Sequence, residues 1–149
     1  MAHVRTQIRN RFKTVLDGAL PASYSVFASR KYAWNTKTGQ TIVDMRFLND
    51  QTRERETMGD ERIHVASLYI RVQRALEESQ LDTALDDDEI AIVAAIEAEN
   101  WLDLLEEDPE LLQVNFADDA EGGRAIGAIV LRYDVEYRID KSDPETRIA

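Results

Sequence analysis

The 149-residue chain is 44% hydrophobic and 32% charged, which suits one globular domain with one core. It contains no cysteine, which excludes a disulfide framework, a thiolate zinc site and a cysteine nucleophile. A net charge of −11, with 17 acids and no base between Arg74 and Arg124, argues against a grip on duplex DNA, because that affinity rests on neutralising phosphates.

The charge is unevenly placed. Residues 1–62 carry 11 Lys+Arg against 7 Asp+Glu, whereas residues 63–149 carry 7 against 22. Single acids of this kind serve mainly as a solvated, solubilising face. The start of the chain has no apolar run of signal-peptide length, and nowhere do eighteen apolar residues occur together, so a soluble, unexported protein with no membrane partner is expected.

Val4, Ile8, Phe12, Val15 and Leu16 recur at helical spacing opposite Arg5, Arg9, Arg11 and Lys13. This predicts an amphipathic helix over residues 3–17, ended by Gly18 and Pro21. Its four bases are either a solvated face or a contact for an acidic partner. Residues 23–29 read as a short strand and 30–40 as a polar connection, with Tyr32 and Trp34 as lids on the core.

Residues 41–48 set Val43, Met45 and Phe47 against Asp44 and Arg46, and residues 63–74 set Ala66, Leu68, Ile70 and Val72 against Val65 and Tyr69. Both are half-buried strands by their alternation. With the charged run 49–62 between them they form a long hairpin whose tip is Arg53, Glu54, Arg55, Glu56. A tip that long is either mobile or a contact surface.

Thr83 and Asp86 have the form of a capping box, which places Asp86, Asp87, Asp88 and Glu89 in the first turns of a helix, where the dipole favours negative charge. Leu85, Ile92, Val93 and Ile96 form its buried face. Asn100 is expected to cap a second short helix through Trp101, Leu102, Leu104 and Leu105, ending before Pro109. Residues 111–116 then read as a strand leading through the turn 118–123 into the longest strand, 125–139.

That last strand alternates Ile129, Leu131, Tyr133, Val135, Tyr137 and Ile139 with Arg132, Asp134, Glu136 and Arg138. Whatever covers its apolar face is expected to be the centre of the fold. Its length exceeds the usual five or six residues, so either Gly127 marks a bulge or bend, or one end reaches a neighbouring chain. The expected architecture is a single α+β domain over residues 1–139 with a loose tail over 140–149. It comprises an antiparallel sheet, an N-terminal helix and two further helices on one face, and a long hairpin with a charged tip.

Chemistry-bearing motifs are sparse. His3 and His64 are the only histidines, and neither forms part of a ligand cluster in the sequence. The acids at Asp86–Glu89 and at Asp118, Asp119 and Glu121 lack the spacing of a calcium loop, and no phosphate-binding glycine loop or nucleophile elbow occurs. No catalytic, cofactor-binding or metal-binding residue is expected.

The order of elements resembles the tail terminator, or tail completion, proteins of long non-contractile-tailed bacteriophages. The resemblance spans residues 4–139. It rests on the basic first helix, the charged hairpin, the segment EIAIVAAIEAENWLDLL and the closing FADDAEGGRAIGAIVLRYDVEYRI, above all its part from Gly123 to Tyr137. It implies a small α+β protomer that closes into a homohexameric ring in the virion, at the head-proximal end of the tail, after assembly in the host cytoplasm. Such a ring caps the tail tube, ends addition of the major tail tube protein and presents a surface to the head-tail connector, while DNA passes through without sequence-specific binding. On this resemblance Arg53, Arg55 and Met58 are the expected tube contacts, and Arg132, Asp134 and Glu136 the expected subunit-interface residues. The competing reading of the latter three is an ordinary solvated strand face. Rival functions are a neck or head-completion protein of the same virion, a small acidic inhibitor-like or antitoxin-like domain for a basic protein, and a hydrolase using metal at the Asp86 or Asp118 clusters.

Overall fold

The computed structural model describes residues 3–29, 41–53, 61–76, 78–121, 124–140 and 143–147. Helix α1 (Val4–Ala19) buries Val4, Ile8, Phe12 and Leu16, one residue per turn, and stops where the Leu20 N–H bonds back to the Leu16 carbonyl at 2.9 Å before Pro21. His3 caps its start, its Nδ1 accepting from the Arg5 N–H at 3.0 Å. Strands β1 (Tyr24–Phe27), β2 (Thr41–Arg53) and β3 (Glu61–Leu76) follow, then helix α2 (Glu78–Ala98), β4 (Glu110–Glu121), β5 (Arg124–Asp140) and β6 (Asp143–Arg147).

The strands form one sheet in the order β1-β2-β3-β5-β4, with β6 beside β5. Most pairings are antiparallel, but β1 runs parallel to β2 from Tyr24↔Thr41 to Phe27↔Asp44, so the sheet is mixed rather than wholly antiparallel. A parallel pair needs a crossover of about a dozen residues. The chain between β1 and β2, residues 28–40, has that length; the polar connection expected over 30–40, with Tyr32 and Trp34, lies outside the described residues.

Val43, Met45, Leu68, Ile70, Val72, Ile129, Leu131, Tyr133, Val135 and Tyr137 share one sheet face and form a single core with the buried residues of α1 and α2. The Phe12 and Trp101 rings pack at a tilt of 32° with centroids 4.4 Å apart, joining α1 to the chain after α2.

Helix α2 starts at Glu78, five residues before the expected capping box. The reason is packing: Leu81 is buried against the sheet. Burying a leucine contributes about 1.5–3 kcal/mol, more than the roughly 1 kcal/mol of a cap. Asp86 to Glu89 therefore lie in mid-helix, and the dipole account does not apply to them. The expected second helix is one turn only, in which the Trp101 carbonyl accepts from the N–H groups of Leu104 at 2.9 Å and Leu105 at 2.7 Å. The next N–H, of Glu106, turns instead to the Glu136 carbonyl of β5 at 2.8 Å, so sheet docking ends the helix before it propagates.

Gly127 makes no bulge, being paired in register with both Arg74 and Asp118. It sits under α2, and a Cβ there would lie 2.7 Å from Leu81 Cδ2 and 2.9 Å from Leu85 Cδ1. Close approach of the helix requires the glycine. The bulges fall elsewhere, at Leu48 in β2 and Leu112 in β4. Within the stretch read as a tail, Asp143–Arg147 is β6, paired with β5 at Ile139↔Arg147.

Candidate functional site

The expected interface residues lie on the sheet face turned away from the helices. Ser67 Oγ donates to Asp134 Oδ1 at 2.8 Å, Arg132 Nη2 donates to Ser67 Oγ at 3.2 Å, and Arg132 Nε stands 3.5 Å from Asp134 Oδ1. Glu136 is buried. Nearby, Asp44 is buried and receives two hydrogen bonds from Arg71, at 3.0 and 3.3 Å. This is a laterally bonded polar layer, in which charges are held across strands.

The long strand that carries them is paired along one side throughout and along most of the other. β3 pairs with β5 from Leu76↔Ala125 to Glu61↔Asp140, β4 takes the other side from Glu121↔Arg124 to Glu110↔Asp134, and β6 follows at Ile139. Most of its length thus serves its own sheet, while residues 135–138 have a strand on the β3 side only among the described residues. Of the expected tube contacts, Arg53 is the last residue of β2, while Arg55 and Met58 lie outside the described residues, as does the hairpin tip from 54 to 60.

Two other edges are open among the described residues. β4 has β5 on one side and no strand on the other. β2 is flanked by β1 only at residues 41–44, leaving 45–53 without an outer strand. Each open edge carries a leucine in its bulge, Leu48 at 49% exposure and Leu112 at 46%. Phe116 on β4 is 63% exposed and Ile90 on α2 is 68% exposed. Open strand edges invite pairing with another chain; a bulge interrupts each of these two edges, and the leucine within it stays exposed.

Above β4, an apolar groove of about 630 Å³ is lined by Ile90, Val93, Ala94 and Leu111 and rimmed by Asp86, Glu89 and Glu97. Tyr133 lies buried below, its hydroxyl without a hydrogen-bond partner among the described residues. Burial, then the charges of Glu97 and Glu89, push its phenol well above the ordinary value.

At the opposite end, α1 and β2 enclose a hollow of about 370 Å³ lined by His3, Arg5, Thr6, Arg9, Phe47, Leu48, Asn49 and Asp50. Asp50 organises it from below. Its carboxylate accepts from Arg5 Nη1 at 3.0 Å and from the Tyr137 hydroxyl, and lies 2.7 Å from His64 Nδ1. The His64 and Tyr137 rings stack at 5.2 Å. His64 Nε2 is buried and has no hydrogen-bond partner among the described residues. Arg9 donates to Thr6 Oγ1 at 3.1 Å and lies 6.0 Å from the centre of the Phe47 ring.

The fold defines an α+β protein with a mixed sheet and two helices. No family model matches the chain, and neither does any curated protein. Among the described residues no group of three or more His, Asp or Glu is placed to hold a metal, and no helix is long and apolar enough to cross a membrane.

Sequence reasoning missed Ile90, Leu112 and Phe116 as surface residues, though two signals were present. Ile90 stands off the 81-85-92-96 stripe and next to acids. Leu111 and Leu112 are adjacent on one strand, so alternation sends only one of them to the core.

Proposed function

We propose that this protein is a structural assembly component of a virion, a tail terminator that repeats as a ring on the end of the tail tube. In that role it would stop tube growth and offer its other side to the head connector. The observation that carries the reading is the edge of β4, open among the described residues, with Leu112 and Phe116 exposed beside it, an apolar surface of the kind that protein partners cover. The acids of α2 support it, since a passage for DNA benefits from walls that do not bind phosphate. In this reading the chain does no catalysis and needs no cofactor.

A second reading, a small acidic domain that captures a basic protein, is favoured by the acid-rimmed apolar groove. Electron microscopy of particles assembled without the protein separates the readings. Overlong tails support a terminator, normal-length tails that fail to join heads indicate a neck protein, and unchanged particles leave the acidic binding domain.

A further inference from the structure

The two open edges stand at opposite ends of one sheet and are opposite in character. The β2 end combines Leu48 with a hollow in which Arg5 and Arg9 outnumber Asp50, the carboxylate paired with Arg5, leaving one net positive charge beside the neutral His3. The β4 end combines Leu112, Phe116 and Ile90 with an acidic rim of Asp86, Glu89 and Glu97. Between them, α1 carries four bases and one acid, and α2 carries seven acids and no base. We propose that the β4 end of one copy docks against the β2 end of the next, with β4 lying alongside residues 45–53 and the acidic groove facing Arg9. The occupant of the groove is thus a second copy of this chain. The proposal rests on the assembly reading for its repeating partner, while the charge pattern of the chain supplies the complementarity.

Three features favour this head-to-tail contact over a two-fold one. A two-fold contact through the β4 ends would set Asp86, Glu89 and Glu97 against themselves, and one through the β2 ends would oppose Arg5 and Arg9. Leucine on both edges supplies apolar surface at both sides of a heterologous contact. A strand pair across the junction would also add the sheet's usual twist at each step, which turns successive copies about an axis.

The absence of cysteine makes the contact traceable without background. The variant Leu48→Cys/Leu112→Cys, treated with a short bis-maleimide, is expected to give covalent products larger than a dimer, whereas each single-cysteine variant gives none. Adding Arg9→Glu or Glu97→Arg to the double-cysteine chain is expected to abolish the products, and mixing the two charge variants to restore them. Circular dichroism of each variant checks that it is folded. Absence of products from the double-cysteine chain, dimers from the single-cysteine chains, or a ladder indifferent to charge reversal would each overturn the proposal. The outcome is separable from that of particle imaging: a ladder with normal tails sinks the terminator reading alone, and overlong tails without a ladder sink this contact alone.

Discussion

The Arg74 guanidinium on β3 clasps the Asp88 carboxylate on α2 through two hydrogen bonds, Nε to Oδ2 at 2.6 Å and Nη2 to Oδ1 at 3.0 Å. Asp88 is 1% exposed and occupies the same helical stripe as Leu85 and Ile92. The Tyr24 hydroxyl of β1 joins the pair, donating to Asp88 and accepting from Arg74. One carboxylate therefore fastens α2, the sheet interior and the parallel edge strand together. Burial alone would lower the Arg74 pKa, but the hydrogen bond and charge of Asp88 more than reverse it.

Replacing Asp88 by Ala leaves the guanidinium without its buried partner. Removing one member of a buried pair costs about 3–5 kcal/mol, far beyond a surface acid. Urea unfolding is expected to show this loss for Asp88→Ala and almost none for Asp87→Ala, whose side chain is exposed. Equal small effects would refute the clasp.

Two glycines are expected to respond with opposite signs. Gly127→Ala forces a methyl against Leu81 and Leu85 and should destabilise by about 1–3 kcal/mol. Gly18→Ala meets nothing within 4 Å inside α1 and should stabilise by about 0.5–1 kcal/mol. Denaturation midpoints at unchanged m-values test both.

The tyrosines set an alkaline limit. Burial, with hydrogen bonding to Asp88 for Tyr24 and to Asp50 for Tyr137, raises the phenol pKa of Tyr24, Tyr133 and Tyr137 above 10.0. Their neutral forms stabilise the fold fully below that value, and the contribution is lost as pH rises, because the unfolded chain ionises first. In a phenolate absorbance titration, these three of the five tyrosines are expected to ionise only as the protein unfolds. A single titration of all five near pH 10, with the fold intact, would contradict this.

His3 sets an acid-side dependence. Burial, then the charge of Arg5, holds its pKa below 6.5, with Asp50 opposing and His64 and Arg9 adding to the depression. Its neutral Nδ1 is the cap of α1, so protonation removes an acceptor. Stability from this group is present above pH 6.5 and declines as pH falls through that value, where the unfolded chain takes up the proton first. His3→Gln is expected to flatten the stability profile between about pH 7 and 5. An unchanged slope would remove His3 from the account.

The sequence by itself determined the class of fold and most of the elements, because periodicity is local. The one-per-turn run Val4, Ile8, Phe12, Leu16 and the alternation from Ile129 to Ile139 can each be satisfied in only one secondary structure. It also determined the charge asymmetry from which the basic and acidic ends arise. Helical periodicity puts Asp88, not Asp87, on the stripe of Leu85 and Ile92, but only tertiary structure sets Arg74 and Tyr24 opposite it and so lets a carboxylate be buried there. The parallel β1, the early start of α2 over Gly127 and the interior position of β5 are likewise set by pairing between distant segments. The candidate contact followed from that last point: strand order set β5 between β3 and β4 and, among the described residues, left β4 and residues 45–53 of β2 without an outer strand, and order within a sheet is a long-range property that no local pattern encodes.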